Sequence, residues 1–489
     1  MSTPKATPNS AQSGSPRCFL LDGTWSAGPT AANLVSPWDG SSAGDVYEAS
    51  AEQAHAAAAA ARASMPAMRA LTGAQRADAL RKISAEIARR ADDFARLIRD
   101  EVAKPMALAR GEVQRAVKLF QLAAEETVRL PSECIYPDRE PQGAGMVGRV
   151  QSFPVGPILG ITPFNFPLNL VAHKVAPALA AACPIVIKPP PQGPGAALLL
   201  GEIVLASGFP PAALQVLPGG AIVGQALCSD ANFAVISFTG SAKAGWSIKK
   251  NALPHQRVFL ELGGNAAVIV DESADFDLAA RAISSGAYAY AGQICISTQR
   301  VLVHKNSTKA FTQLLAERIA ADVGVSASPH EEQALVGPLI DRAAADRVEN
   351  WTKSAEQRGA GMIVKGARTG ERMITPSLWE NVPDNEPLWG EEVFGPVAVL
   401  RTAGDMHEAI ARANASRYGL QASVFTNSLH NAELAYRELE CGAVLVNIST
   451  NFRIDAAPYG GVKDSGLGRE GVRAAMREFC EPKLLLVKP

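Results

Sequence analysis

The sequence carries no excess charge of either sign. Lys and Arg total 47 and Asp and Glu 48 over 489 residues, for a net charge of -1. That balance supplies no basic footprint for nucleic acid or for an anionic membrane surface. An anionic ligand must therefore be held by local groups. Long apolar runs are also missing. No stretch approaches the roughly 18 uninterrupted apolar residues of a membrane span. The candidate Ala196–Val204 is short and contains Gly201 and Glu202. Residues Met1–Arg17 are rich in Ser, Thr and Pro, lack the apolar segment of a secretory signal, and read as a disordered tail. Cysteine pairing is the third absence. Cys18, Cys134, Cys183, Cys228, Cys295, Cys441 and Cys480 are odd in number, scattered, and form no CxxC. This argues against a disulfide framework and a zinc site, and for reduced thiols in the cytoplasm.

What is present is apolar material for large cores: 47% hydrophobic against 19% charged residues. At roughly 100–200 residues per domain, two or three domains are expected. From Ala51 to Leu130 the spacing predicts helix almost throughout, with Arg76–Asp100 and Lys104–Ala124 as long segments. From Gly148 onward, short apolar runs alternate with helical ones. Val155–Thr162, Pro184–Lys188, Leu214–Leu217, Ala234–Phe238 and Arg257–Leu262 read as strands, with helices between. Such alternation means βαβ units and a parallel sheet, with ligands at the carboxyl ends of the strands. A second set follows, from Ala266–Val270 to Ala443–Asn447. Pro131–Arg149 and Lys483–Val487 fit neither pattern. They read as strands of an arm, whose exposed edge requires a partner.

Two motifs mislead. Gly466-Leu467-Gly468-Arg469-Glu470-Gly471 has the GxGxxG spacing but no room for a βαβ unit after it, so a tight turn is the better reading. Gly240–Ser247 resembles a P-loop but has Trp246 where the phosphate-binding lysine belongs. A strand ending in Thr239-Gly240-Ser241 and opening a helix still offers backbone N–H groups to a diphosphate.

Five segments carry chemistry together: Thr162–Pro167 (TPFNFP), Leu260–Asn265 (LELGGN), Gly292–Ser297 (GQICIS), Glu391–Pro396 (EEVFGP) and Pro458–Gly466 (PYGGVKDSG). Through them the chain resembles the aldehyde dehydrogenase superfamily from about Phe19 to its end, and within it the lactaldehyde dehydrogenase-like group. The resemblance implies two parallel-sheet α/β (Rossmann-like) domains plus a β oligomerisation arm. Residues 18–130 and 150–261 would bind the dinucleotide, 262–455 would form the catalytic domain, and 131–149 with 470–489 the arm of a homodimer or homotetramer. It also implies NAD- or NADP-dependent oxidation of a small aldehyde to an acid, through a thiohemiacetal and a thioester.

By the same resemblance, Cys295 is the nucleophile. A free thiol has a pKa of about 8.5, so it must be activated. Asn165 is an oxyanion donor. Glu261, at a strand end beside two glycines, is a general base for thioester hydrolysis. Relatives that acylate coenzyme A usually lack this carboxylate, so a free acid is the expected product. Lys174 is either a further catalytic group or a solvated helix lysine. Lys188 and Glu392 would hold the two ribose rings. Thr162, Pro163 and Phe164, then Gly220, Gly224, Phe238, Gly240 and Ser241, with Leu262 and Phe394, would line the dinucleotide groove.

Two features depart from the common pattern. Lys188-Pro189-Pro190-Pro191 has proline where many NAD-preferring relatives have glutamate. Without that carboxylate a 2′-phosphate is not repelled, so NADP should be accepted at Pro191. Arg453, just before the PYGG segment, offers a fork for a carboxylate, phosphonate or sulfonate on the substrate. Its alternative is a structural pair, with Asp455 the nearest partner. The rival functions are a cysteine esterase and a non-catalytic relative. The first needs no dinucleotide groove; the second predicts damage at Asn165, Glu261 or Cys295, all of which are intact.

Overall fold

A computed structural model describes residues 15–323 and 328–488. Residues 1–14 of the expected tail lie outside the described residues. The expected tail includes Arg17, but that residue is fixed: its backbone donates to Asp45, and its guanidinium pairs at 2.7 Å with the buried Glu101.

An eight-stranded sheet forms the first layer system. Its five central strands are parallel, in the order Leu214–Val216, Ile185–Lys188, Ile158–Ile161, Val235–Thr239, Arg257–Glu261. They are short and almost wholly buried, as strands covered by helices on both faces must be. Phe19–Leu21 closes one side antiparallel, and Gly466–Leu467 pairs antiparallel with Arg257–Glu261 on the other. The glycine-rich stretch 466–471 is thus an edge strand and turn, as its lack of a following βαβ unit requires. A second, seven-stranded sheet runs Gly361–Val364, Ser377–Glu380, Val397–Ala403, Thr298–His304, Ala266–Val270, Gln421–Phe425, Ala443–Val446, parallel except at its first pair. Each sheet has its own apolar core.

Some expectations need correction. Arg76–Asp100 is not one helix. Arg90 leaves helical geometry (φ -103°, ψ 24°) between Gly73–Arg89 and Ala91–Val102, where its side chain pairs with Asp93 and Glu202. The third sheet contains Ser132–Ile135, Val147–Pro154 and Cys480–Val487, all antiparallel. The arm strand therefore runs past residue 149 to Pro154. Residues 470–479 are not part of that sheet: Val472–Glu478 is a helix packed on Asn169–Ala180 and Met106–Thr127.

The first sheet brings the carboxyl ends of its strands, at Thr239 and Glu261, and the second sheet the amino ends of its strands, which follow Gly264, Cys295 and Phe394, toward the segment Tyr288–Cys295. Tyr290, Ala291 and Gly292 are consecutively left-handed, at φ 51°, 54° and 69°. The Tyr290 hydroxyl donates to Val102 O at 2.8 Å, and its N–H donates to Leu335 O at 2.7 Å. These bonds hold a backbone that L-residues resist. At Gly292 a Cβ would lie 2.2 Å from Gly395 O. Gly292→Ala should therefore lower stability by at least about 1–2 kcal/mol from the left-handed backbone alone, with the clash added. Urea denaturation of the pure protein checks this.

Candidate active site

A cavity of about 370 Å³ opens between the two sheets. Three segments distant in sequence meet there, and each arrives for a local reason. The strand Ile158–Ile161 ends in the turn that carries Asn165. That turn is pinned by a buried ion pair. Lys104 Nζ lies 2.5 Å from Glu112 and donates to Asn165 O at 2.6 Å, while Glu112 accepts from the N–H groups of Leu168 and Asn169. The Lys104 ammonium also sits 3.5 Å from the Phe166 ring centroid. Asn165 Nδ2 spends one hydrogen on Gln293 O at 2.9 Å, which ties it to the cysteine loop. Its second hydrogen remains for a ligand.

Cys295 lines the same cavity and is half-buried, with Sγ 3.3 Å from the Tyr459 hydroxyl. Gly264 makes room for its loop, since a Cβ there would lie 2.4 Å from Cys295 O. Burial, then the Glu261 carboxylate, push the Cys295 thiol well above its ordinary range. A resting thiol of this kind needs a base.

Glu261 is 3% exposed and ends its strand at the cavity, with Oε1 lacking any protein partner. Burial, then the charge of Glu470, push its carboxyl up to about 8. Glu470 itself is ionised. Burial opposes its charge, but Lys174 and Arg453 outweigh that and hold it well below the usual carboxylate range. Lys174 is 1% exposed, so the solvated alternative is excluded. Its Nζ donates to Thr239 at 2.8 Å, Ser237 at 3.0 Å and Glu470 at 3.1 Å, behind the cavity wall.

Arg453 lines the cavity and is also paired, so both alternatives hold in part. Its Nη2 lies 3.2 Å from Glu470 Oε2 and 3.2 Å from His173 Nδ1, and its Nε is 3.8 Å from Asp455 Oδ1. The guanidinium stacks 3.8 Å from the Tyr459 ring centroid. Arg115 reaches the same wall and binds Asp455 through two bonds, at 2.6 and 3.1 Å. Burial opposes the Asp455 charge, yet bonds from His173 and Arg115 keep its carboxyl far below the usual range.

The cavity's other end suits a dinucleotide. Pro163, Phe164, Gly240, Ser241, Leu262, Glu392 and Phe394 line it. Phe164 and Phe394 meet edge to face at 6.1 Å. Ser241 Oγ caps the helix Ala242–Asn251 at Ala244 N, which presents a helix N-terminus to the groove. Glu392 accepts from Gly264 N at 3.0 Å, and a Cβ on Gly263 would lie 2.2 Å from its carboxylate. Burial, against the Gly264 bond, pushes Glu392 up to about 7. Farther out, the exposed Gly220 precedes the helix Ala221–Cys228, and a Cβ on Gly224 would lie 3.6 Å from Lys188. Burial pushes Lys188 down to about 8, partly offset by Glu48. Like Lys188, Gly220 and Gly224, three further expected residues lie outside the cavity lining. Phe238 is core, packed beneath Gly240. Thr162 is buried outside the cavity lining, and Pro191 is exposed outside it.

Reading the sequence missed Tyr459, Glu470, Arg115, Arg347, His173 and the Lys104–Glu112 pair. Glu470 was hidden inside the misleading glycine motif. His173 and Lys174 had a signal: two adjacent polar residues in an otherwise apolar helix. Among the described residues, no His, Cys, Asp and Glu cluster could hold a metal ion.

The profile of the aldehyde dehydrogenase family matches residues 25–485, and the chain belongs to that family. It is an enzyme that oxidises an aldehyde to an acid with NAD or NADP as acceptor. It is 39% identical to 3-sulfolactaldehyde dehydrogenase from Priestia megaterium, over 84% of this chain and 86% of the relative. Aldehyde dehydrogenase 21 from Physcomitrella patens, solved with its reaction product succinate, superposes with a TM-score of 0.92. That pair shares 37% identity over 97% of this chain and 99% of the other. The NADP complex of the NADP-dependent glyceraldehyde-3-phosphate dehydrogenase from Bacillus halodurans also gives 0.92, at 31% identity over 97% and 99%.

Two outcomes follow. Lys104→Met leaves Glu112 buried and uncompensated, which should cost about 3–5 kcal/mol in denaturant unfolding. Activity that needs ionised Glu261 should rise with pH through about 8. Glu470→Gln removes a negative neighbour and leaves two cations facing Glu261, so the kcat midpoint should move to lower pH.

Proposed function

We propose that the chain oxidises a small aldehyde whose far end carries a carboxylate or sulfonate, with Cys295 as nucleophile. The observation that carries this reading is the pairing of Arg115 and Arg453 on the cavity wall that also holds Cys295. Around them stand three cations, Arg115, Arg453 and Lys174, against two carboxylates, Asp455 and Glu470. With Glu261 protonated, one positive charge is left over in a nearly dry site. That is enough to favour a monoanion over a neutral aldehyde. The sulfonate in the name of one relative and the succinate bound to a structural neighbour fit the same chemistry.

In this reading the aldehyde binds with Glu261 protonated; Glu261 then loses that proton to solvent, Cys295 attacks the aldehyde carbon and passes its thiol proton to the freed carboxylate, and Glu261 releases it to solvent again before hydrolysis. The second hydrogen of Asn165 Nδ2, with the Cys295 N–H, stabilises the resulting oxyanion. A bound NAD or NADP supplies the hydride acceptor. Glu261 then takes a proton from the water that hydrolyses the thioester. Lys174 acts through Glu470 and so positions the base without touching substrate. Glu392 and Lys188 hold the ribose rings. The exposed Pro191 leaves Lys188 as the cation able to meet a 2′-phosphate, so NADP is used at least as readily as NAD. Residues 18–130 with 155–261 act as the cofactor domain and 262–455 as the catalytic domain. The exposed apolar side chains Leu484, Leu485, Leu486 and Val487 on the arm suit a homodimer or homotetramer in the cytoplasm.

A panel of short neutral and anionic aldehydes, each with NAD and NADP, tests this. Cys295→Ser should abolish turnover. Arg115→Ala should raise KM for anionic aldehydes roughly ten- to a hundredfold, the worth of one charge-assisted hydrogen bond. An equal rise for neutral aldehydes would overturn the anion site. A hundredfold preference for NAD would overturn the cofactor reading.

A further inference from the structure

We propose that His173 is a specificity-determining positioning residue, which aims the Arg453 guanidinium at the anionic end of the aldehyde without cancelling its charge. The inference rests on the anion-site reading above. His173 lies on the helix that follows the Asn165 turn and is 2% exposed. Both ring nitrogens are engaged: Nδ1 lies 3.2 Å from Arg453 Nη2 and Nε2 lies 3.0 Å from Asp455 Oδ1. A guanidinium can only donate, so Nδ1 must be the acceptor. The ring proton then sits on Nε2 and points at Asp455. One neutral tautomer satisfies both bonds.

The result is a continuous chain, Arg453–His173–Asp455–Arg115, with a guanidinium at each end and both ends on the cavity wall. The plane of Arg453 is set by Tyr459, against which it stacks at 3.8 Å. Its rotation within that plane is set by Nη2, held between His173 and Glu470. Nε, although buried, has no hydrogen-bond partner. An unmet buried N–H of this kind costs about 1–3 kcal/mol, so the guanidinium is not fully satisfied by its protein partners.

A neutral acceptor at position 173 does what other residue types cannot. A carboxylate there would add a third negative charge and remove the local positive excess. An apolar side chain would leave Asp455 Oδ1, which lies only 3.8 Å from Arg453 Nε, bonded by Arg115 alone. Arg453 would then close onto Asp455 and turn from the cavity. Burial, then the charge of Arg453, push the imidazole down to about 4, so it remains the neutral acceptor at ordinary pH.

The test compares kcat/KM for 4-oxobutanoate with that for butanal, as a ratio, in the full-length enzyme. His173→Ala should lower the ratio at least tenfold, mainly through KM. Two variants separate the bonds. His173→Asn keeps a polar acceptor near Nδ1 and should recover most of the ratio. His173→Gln places its polar group near Nε2 and should not. This pair also serves if the alanine variant fails to fold. A ratio unchanged in both, or lost equally in both, overturns the inference. Arg453→Met is measured alongside. If it leaves the ratio intact, the anion site itself is wrong. If it collapses the ratio while the His173 variants do not, only the positioning role falls.

Discussion

Glu470 stands between two cations in a space that water barely enters, and the rest of the site depends on that arrangement. Lys174 and Arg453 keep it ionised. Burial of Glu261, reinforced by that charge, then keeps a proton on Glu261. A buried carboxylate cluster would ordinarily be expelled or protonated throughout. Here the cost is divided: one carboxyl takes the cations and the other takes the proton. A base near neutrality results, facing a thiol that is itself protonated.

The charges also tie the two sheets together. Lys174 comes from a helix of the first sheet, Glu470 from the turn at its edge, and Arg453 from the loop that follows the last strand of the second. Lys104, from the break between two helices, and Glu112, from the helix that follows, do the same for the turn that carries Asn165. Neither pair contributes much net stability by itself. What each supplies is register: a shift of the loop by a fraction of an ångström would leave a charge buried and alone.

How far the sequence could be read follows from this. Parallel strands such as Ala266–Val270 were legible because a strand buried on both faces has to be apolar from end to end. Helix Ala221–Cys228 was legible from the alternation of strand and helical runs on either side of it. The break at Arg90 was not, because no Gly or Pro marks it; it is made by tertiary ion pairs to Asp93 and Glu202. In the site, Cys295, Glu261 and Asn165 stood out because each lies in a segment that carries the family resemblance. Arg115 lies mid-helix among charged residues, where an arginine on the surface looks the same.

The sequence by itself determined the strands and most helices, because these depend on local spacing and side-chain type, and its motifs carried the resemblance that gave the class of chemistry and three candidate residues for it. The tertiary structure alone decided which charges meet: that Lys174 is buried, that Glu470 belongs to the site, that His173 bridges two arginine systems. Those pairings join residues as far as 340 positions apart. Their protonation depends on burial and on neighbours' fields, which exist only once the chain has closed around them.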